Sequence, residues 1–257
     1  MKEVKHMKRI DNKALDSVLI AGNDGFYNSF PDLAKLPDGR LLAVWRKADR
    51  HVASFSSLLM SYGSTDGSRW SEPAVLCGEF GHMPRITVSE NGKVFIIDDG
   101  APPPVAYYAE SSLFVSDDGG KSFERHTLDM GPGRVIPQAP SFAPGKILLS
   151  NGEPWACCAQ IRLGSKGHKD VWTQCDMLYR TEDGGKSWYP GTVTACDFRA
   201  PVCEPSLCRM PDGRLGLSCG LPVRDGKSSA VLGTAVRVLR ALPETPPQGT
   251  EPQGYPR

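Results

Sequence analysis

Apolar residues in this chain come in short runs set between polar turns: Leu41 to Trp45, Leu58 to Tyr62, Val94 to Ile97, Leu113 to Val115 and Met177 to Tyr179. Runs of this length, bounded by glycine, proline and aspartate, read as strands, and no convincing amphipathic helix precedes residue 228. The same runs fall far short of a membrane span. The pattern predicts an all-β chain.

Three of the runs lead into one kind of turn. Its copies are Ser64-Thr65-Asp66-Gly67-Ser68-Arg69-Trp70, Ser116-Asp117-Asp118-Gly119-Gly120-Lys121-Ser122-Phe123 and Thr181-Glu182-Asp183-Gly184-Gly185-Lys186-Ser187-Trp188. The order has a mechanical reading. The carboxylate accepts hydrogen bonds from its own turn, glycine supplies a positive φ, and the aromatic folds back over apolar surface.

A second repeat consists of a proline, a short strand, a glycine turn and another strand. It occurs at Phe30-Pro31-Asp32-Leu33 with Gly39, Met83-Pro84-Arg85-Ile86 with Gly92, Ile136-Pro137-Gln138-Ala139 with Gly145, and Glu204-Pro205-Ser206-Leu207 with Gly213. These glycines are spaced by 53, 53 and 68 residues, and the aspartate turn follows by 27, 26 and 38. The longer third interval is assigned to the polar insertion Gly164-Ser165-Lys166-Gly167-His168-Lys169. Each unit is then a four-stranded antiparallel meander of about 50 residues, the size of a propeller blade. The fold expected is an all-β propeller with about four recognisable blades.

Residues 1–25 read as a lead-in containing a strand at Val18-Leu19-Ile20-Ala21, 26–242 as an incomplete propeller domain, and 243–257 as a disordered tail rich in Pro, Gln, Glu and Gly. The fourth unit departs from the pattern. Near residue 240, where an aspartate turn is due, Val236 to Leu242 stands instead, and Arg224-Asp225-Gly226-Lys227-Ser228 is an early partial echo.

Composition narrows the function. A net charge of +1 with interspersed signs gives no footprint for nucleic acid or an anionic membrane. No apolar segment follows the basic start, so the expectation is a cytoplasmic protein without a secretory signal. The eight cysteines show no zinc-type spacing and read as reduced, mostly buried thiols. No metal or cofactor is expected.

The aspartate turns resemble the Asp-box, or BNR, repeat, and the strand opening each blade resembles that of the sialidase (neuraminidase) superfamily of six-bladed propellers. The resemblance covers residues 26 to 220. It implies that Asp66, Trp70, Asp118, Phe123, Asp183 and Trp188 are structural, on the side away from substrate. It also implies an arginine clamp for a sugar carboxylate, matched by paired guanidinium donors, and a Tyr nucleophile activated by Glu with an Asp acid/base.

Carried over residue by residue, the first clamp arginine falls on Ser29, with Asp32 in the same motif and Arg46 or Arg50 as substitutes. The acid/base window holds Asp49 and His51, and a histidine titrates in the range such a step needs. His82 occupies the equivalent of Ser29 in the second blade, followed by Arg85. Glu204 matches the activating glutamate, whereas Cys219 stands where a further arginine is due. Tyr107, Tyr108 and Tyr179 lie outside the nucleophile's context. For each loop cation and histidine the alternative is a solvated or hydrogen-bonded structural residue.

The function these residues imply is an exo-acting, sialidase-like glycoside hydrolase on terminal anionic sugars of glycans. Glu204, His51, His82 and Asp49 would be catalytic, and Arg46, Arg50, Arg85, Ser29 and Asp32 would bind substrate. A non-catalytic glycan-binding propeller is the alternative, favoured by the non-arginine residues at Ser29 and Cys219. A third reading is a uronate lyase using His and Tyr for proton transfer. The partner in each case is a glycan or sugar acid, and oligomeric state is left open.

Overall fold

The computed structural model describes residues 18–22, 24–51, 53–78, 81–99, 111–128, 142–164, 172–196, 203–212, 214–223 and 231–239. Pro137, Tyr107, Tyr108, the insertion beyond Gly164, the echo after Val223 and the tail from Pro243 lie outside these residues. Every regular element described is a strand.

The strands form antiparallel meanders. Blade 1 is β1 (Tyr27–Lys35), β2 (Leu41–Ala48), β3 (Ser56–Gly63) and β4 (Ala74–Cys77). Blade 2 is β5 (Arg85–Val88), β6 (Val94–Asp98), β7 (Ser112–Ser116) and β8 (Glu124–Thr127). In blade 3, β9 (Phe142–Pro144) and β10 (Leu148–Ser150) both pair with β11 (Glu153–Gly164), which continues to β12 (Trp172–Arg180) and β13 (Tyr189–Cys196). Blade 4 comprises β14 (Cys203–Arg209), β15 (Leu215–Val223) and β16 (Val231–Leu239). The molecule is an all-β propeller of antiparallel blades.

The unbroken apolar runs follow from blade stacking. Alternate side chains of a strand point to opposite faces, and a blade with a neighbour on each side must be apolar on both. In β6, Val94 and Ile96 enter a core with Leu42, Val44 and Leu58 of blade 1. Phe95 and Ile97 enter another with Cys157, Ala159, Met177 and Trp188 of blade 3. In β11, Ala156 and Cys158 turn the other way, toward Leu207, Leu215 and Leu217 of blade 4. Each large side chain buried in this way is worth roughly 1.5–3 kcal/mol, so the joints between blades are the main stabilising units. Among the described residues the three core clusters join blades 1 to 2, 2 to 3 and 3 to 4.

Three sequence expectations need correction. The third glycine turn is Asn151-Gly152, with φ of 51° and 82°; its two positive values suit a two-residue hairpin. Gly145 instead lies between β9 and β10, where its N–H donates to the Cys158 carbonyl at 2.7 Å. A Cβ there would sit 2.5 Å from the Pro205 carbonyl oxygen, so glycine is needed for the approach to blade 4. With Gly152 as the turn, the third aspartate follows by 31 residues, close to the other units.

Val18 to Ala21 forms no strand, and Val18 and Leu19 are exposed with no strand paired to them among the described residues. In the fourth unit, where the sequence departs from the repeat, the described residues form a third strand, β16, paired along its length with β15. Last, Cys77, Cys157, Cys158 and Cys208 are free thiols, but Cys175, whose Cα partner across the ladder is Cys196, is disulfide-bonded.

The aspartate turns close β3, β7 and β12 at the same end of the blades as the glycine turns. Asp118 accepts from the N–H groups of Lys121 and Ser122 at 2.9 and 3.0 Å and from the hydroxyls of Ser116 and Ser122. Asp183 accepts from the Lys186 and Ser187 N–H groups at 3.0 and 2.9 Å and from the Thr181 hydroxyl. Asp66 accepts from Ser64 and Ser68. The Trp70 and Trp188 indoles donate to the Gly67 and Gly185 carbonyls. Trp188 is fully buried, and Phe123 packs on the core between blades 1 and 2.

Candidate active site

Strand β2 leaves its glycine turn at Leu41 and reaches Arg46 to Ala48 at the far end. Eight residues of strand span roughly 23 Å, which separates this end from the aspartate turns. Here the chain gathers side chains from β1, the β2–β3 loop, the entry to β5 and the exit from β6.

The entry to blade 1 is irregular. Between Ser29 and Asp32 the β1–β2 register shifts, and Phe30, immediately before Pro31, has φ 51°. A left-handed conformation costs a non-glycine residue about 1–3 kcal/mol, and a following proline restricts it further. The result is that the Phe30 ring lies edge-to-face against His82, with centroids 4.8 Å apart, and 6.2 Å from His51. Asp32, on the other side of the bulge, accepts from the Leu33 and Ile86 N–H groups at 2.9 and 2.8 Å. It also pairs with Lys146 at 3.1 Å. Its carboxylate is thus committed to tying blades 1, 2 and 3 together.

Two buried carboxylates at the end of β6 organise His82. Asp98 accepts from the His82 N–H at 3.0 Å, and Asp99 from the Met83 N–H at 3.0 Å. Asp99 also contacts His82 Nδ1 at 2.8 Å. Engaging Nδ1 leaves Nε2 as the nitrogen for proton exchange. Burial alone would lower the His82 pKa, but the hydrogen bond and charge of Asp99 outweigh it, and the net shift is upward.

Arg46 is 1% exposed on the face of β2 that meets blade 2. Burial lowers its pKa, opposed by the nearby charges of Asp99 and Asp98. It donates to the His51 carbonyl at 3.0 Å, while its Nε and the hydroxyl of Ser29, its Cα partner in β1, are buried without a hydrogen bond. Through the His51 carbonyl, Arg46 braces the β2–β3 loop from beneath.

The β2–β3 loop presents His51. Asp49 closes the loop by accepting from the Ser54 N–H and hydroxyl at 2.9 and 2.5 Å. The Ser54 hydroxyl, followed by burial acting the other way and by backbone donors, leaves the Asp49 pKa lowered. A carboxylate held in its ionised form in this way is a poor proton donor, and Asp49 is a loop staple. His51 Nδ1 lies 3.1 Å from the Tyr27 hydroxyl. Arg50 is exposed and 3.4 Å from Asp49. Arg85, half-buried at the start of β5, donates to the adjacent Pro84 carbonyl at 3.2 Å.

Glu204 stands apart. It repeats the conformation of Phe30, with φ 53° before a proline and a register shift in β14. Its N–H donates to Gln160 of blade 3 at 3.1 Å, and its side chain is exposed. No hydrogen bond or ion pair among the described residues links it to His82 or His51.

The structure therefore brings His51, His82, Phe30 and Tyr27 together over Arg46 and places Glu204 at the corresponding end of blade 4. Sequence reading missed Asp98, Asp99, Tyr27 and Phe30. The Asp98-Asp99 pair had a signal: two carboxylates directly after an apolar run must find partners as the chain leaves the core. No group of three or more His, Cys, Asp or Glu side chains able to hold a metal occurs among the described residues.

No family model and no curated protein matches the chain. Solved structures do. An α-L-arabinanase of Penicillium chrysogenum, complexed with arabinobiose, superposes with a TM-score of 0.58 at 16% identity over 84% of this chain and 64% of its own. A xylan β-1,4-xylosidase of Bacillus halodurans gives 0.56 at 12%, over 85% and 42%. An ulvan lyase bound to -[GlcA(1-4)Rha3S]- gives 0.54 at 12%, over 88% and 57%. At such identities the likeness is one of fold, that of β-propeller proteins, and the chain spans less than two thirds of the length of each.

Proposed function

We propose that this propeller acts on a carboxylate-bearing sugar of a glycan by proton transfer, as a uronate-type lyase. The observation that carries the reading is His82, held through Nδ1 by buried Asp99 and facing the Tyr27–His51 pair across the Phe30 ring. Two proton-exchanging groups around one rim suit an elimination. The Tyr27–His51 pair removes the proton on the carbon next to the sugar carboxylate, and those electrons form the new carbon–carbon double bond. The glycosidic carbon–oxygen bond breaks, and the departing oxygen takes a proton from His82. The upward pKa shift of His82 suits a donor working near neutrality. Arg85, beside His82 in the chain, holds the carboxylate. The polysaccharide-acting neighbours, the lyase among them, support a glycan as substrate.

A sialidase-like hydrolysis is the second reading, favoured by the exposed Glu204 at a bulge equivalent to that of Phe30. One experiment separates the two. Purified protein is incubated with uronate-containing oligosaccharides and with fluorogenic sialosides, following ultraviolet absorbance of an unsaturated uronide and release of the fluorophore. Unsaturated product that vanishes in His82→Ala and persists in Glu204→Gln supports elimination. Fluorophore release that vanishes in Glu204→Gln supports hydrolysis and sinks the elimination.

A further inference from the structure

The rim beside Tyr27 and His51 carries two exposed aromatic rings that the chemistry above does not use. Phe26, just before β1, and Phe55, at the end of the β2–β3 loop, are 44% and 47% exposed. Their rings meet edge-to-face with centroids 6.1 Å apart. Both are fixed from below. Asp24 accepts from the Phe26 N–H and the Asn28 amide, each at 3.1 Å, and binds Lys47 Nζ at 2.8 Å. Lys47 in turn lies 4.1 Å from the centre of the Phe26 ring. The Asp49 staple closes the loop that carries His51 at one point and Phe55 at another. Exposing two rings to water is unfavourable, and here neighbouring polar groups hold them in place.

We infer that Phe26 and Phe55 form a second sugar subsite, which takes an uncharged pyranose adjoining the anionic unit at His82. The inference rests on the reading of that cluster as a glycan site. Three features select the occupant. The rings continue the rim that holds Tyr27 and His51, so the next unit of a chain bound there passes over them. An aromatic face packs against the C–H face of a sugar, while Asp24 and Lys47 offer partners to its hydroxyls at the edge. The Lys47 charge is already answered by Asp24, and Arg50 on the same loop lies 3.4 Å from Asp49, so each cation described beside the rings is already paired with a carboxylate. The substrate is accordingly a glycan alternating anionic and neutral units.

The test is calorimetric binding to the His82→Ala protein, which prevents turnover. The probes are a hyaluronan tetrasaccharide, alternating glucuronate with a neutral sugar, and tetragalacturonate, anionic throughout. The hyaluronan probe binds more tightly, and a further Phe26→Ala/Phe55→Ala change weakens it about tenfold, or about 1.4 kcal/mol. Tetragalacturonate changes less than about twofold, within the scatter expected of surface substitutions. Phe26→Tyr/Phe55→Tyr restores hyaluronan binding, which separates ring contact from any disturbance of the fold. Equal binding of the two probes, no binding of the hyaluronan probe, or binding indifferent to the rings overturns the inference. Ring-dependent binding without turnover by the unmodified protein would sink the elimination and leave this subsite, whereas turnover with ring-independent binding would do the reverse.

Discussion

The two ends of the blades use carboxylates in opposite ways. At the turn end, Asp66, Asp118 and Asp183 accept hydrogen bonds from residues within four positions of themselves. At the far end, Asp98 and Asp99 reach back 16 residues to the backbone of His82 and Met83, and midway along β1 Asp32 reaches 54 to Ile86. A local acceptor fixes the shape of one turn and can be repeated in every blade. A long-range acceptor fixes the position of one side chain relative to another, and each example here occurs once. The first arrangement builds a scaffold, and the second can build a site.

Substitutions should separate the two ends. The largest effect expected is on activity: His82→Ala lowers turnover by about 10² to 10⁴, the usual contribution of a general acid, and shifts the thermal midpoint little. Assays of unsaturated product beside a melting curve check both halves. Asp99→Asn comes next, with a loss of about 10- to 100-fold, by analogy with groups that orient a histidine ligand. Its specific sign is an activity profile whose limb assigned to His82 moves to lower pH, because the partner that favours the imidazolium is gone.

At the turn end the order reverses. Asp183→Ala removes acceptors for two N–H groups, costs about 1–3 kcal/mol in denaturant unfolding, and leaves turnover per folded molecule unchanged. Loss of turnover without loss of stability would break the contrast between the ends.

The smallest effect is in the pH dependence of stability, and its sign differs between the ends. The His82 pKa is raised on folding, so its contribution is fully present below about pH 6.5, the ordinary histidine value, and is lost as pH rises through the raised folded value. The Asp66 pKa is lowered to about 2, chiefly by the Ser64 hydroxyl and then by the Ser68 N–H. Asp118 is lowered by Ser122 first, and Asp183 is lowered by hydrogen bonds that outweigh its burial. Their contribution is present above the ordinary carboxylate range and fades as pH falls through the folded values. Unfolding midpoints should therefore drop on the acid side in the unmodified protein, and only the decline near neutrality should disappear in His82→Ala.

The same contrast explains what could be read from sequence. Val94 to Ile97 reads as a strand and the three aspartate turns mark the blades, because both signals are local. Pro144-Gly145-Lys146 has turn composition, and only the approach of the Pro205 carbonyl shows the other use of Gly145. The distance from Pro84 marks His82 in the sequence, whereas nothing in a linear pattern specifies its contact with Asp99 across 17 residues. Glu204 matches a family role by position, and the bulge that places it before Pro205 repeats that of Phe30. Arg46 shows the converse. Its place at the end of an apolar strand suggests a rim cation, and its burial at 1% exposure and its bond to the His51 carbonyl appear only in the folded chain.

The glycines of the turn end also constrain how such a chain could have grown. A Cβ on Gly120, in blade 2, would press on Leu36 of blade 1 at 3.2 Å, and one on Gly185, in blade 3, would meet Leu113 of blade 2 at 2.8 Å. The Tyr62 hydroxyl of blade 1 donates to the Gly120 carbonyl. The aspartate turns of blades 2 and 3 are therefore fitted to the blade before them as well as to their own. A duplication that copied one blade from its first strand to its last would separate every such turn from its seat. The fragment that carries a complete interface is offset, taking the turn end of one blade together with the apolar edge of its predecessor. Recombination between propellers should succeed at crossovers that respect that offset and fail at those drawn between whole blades.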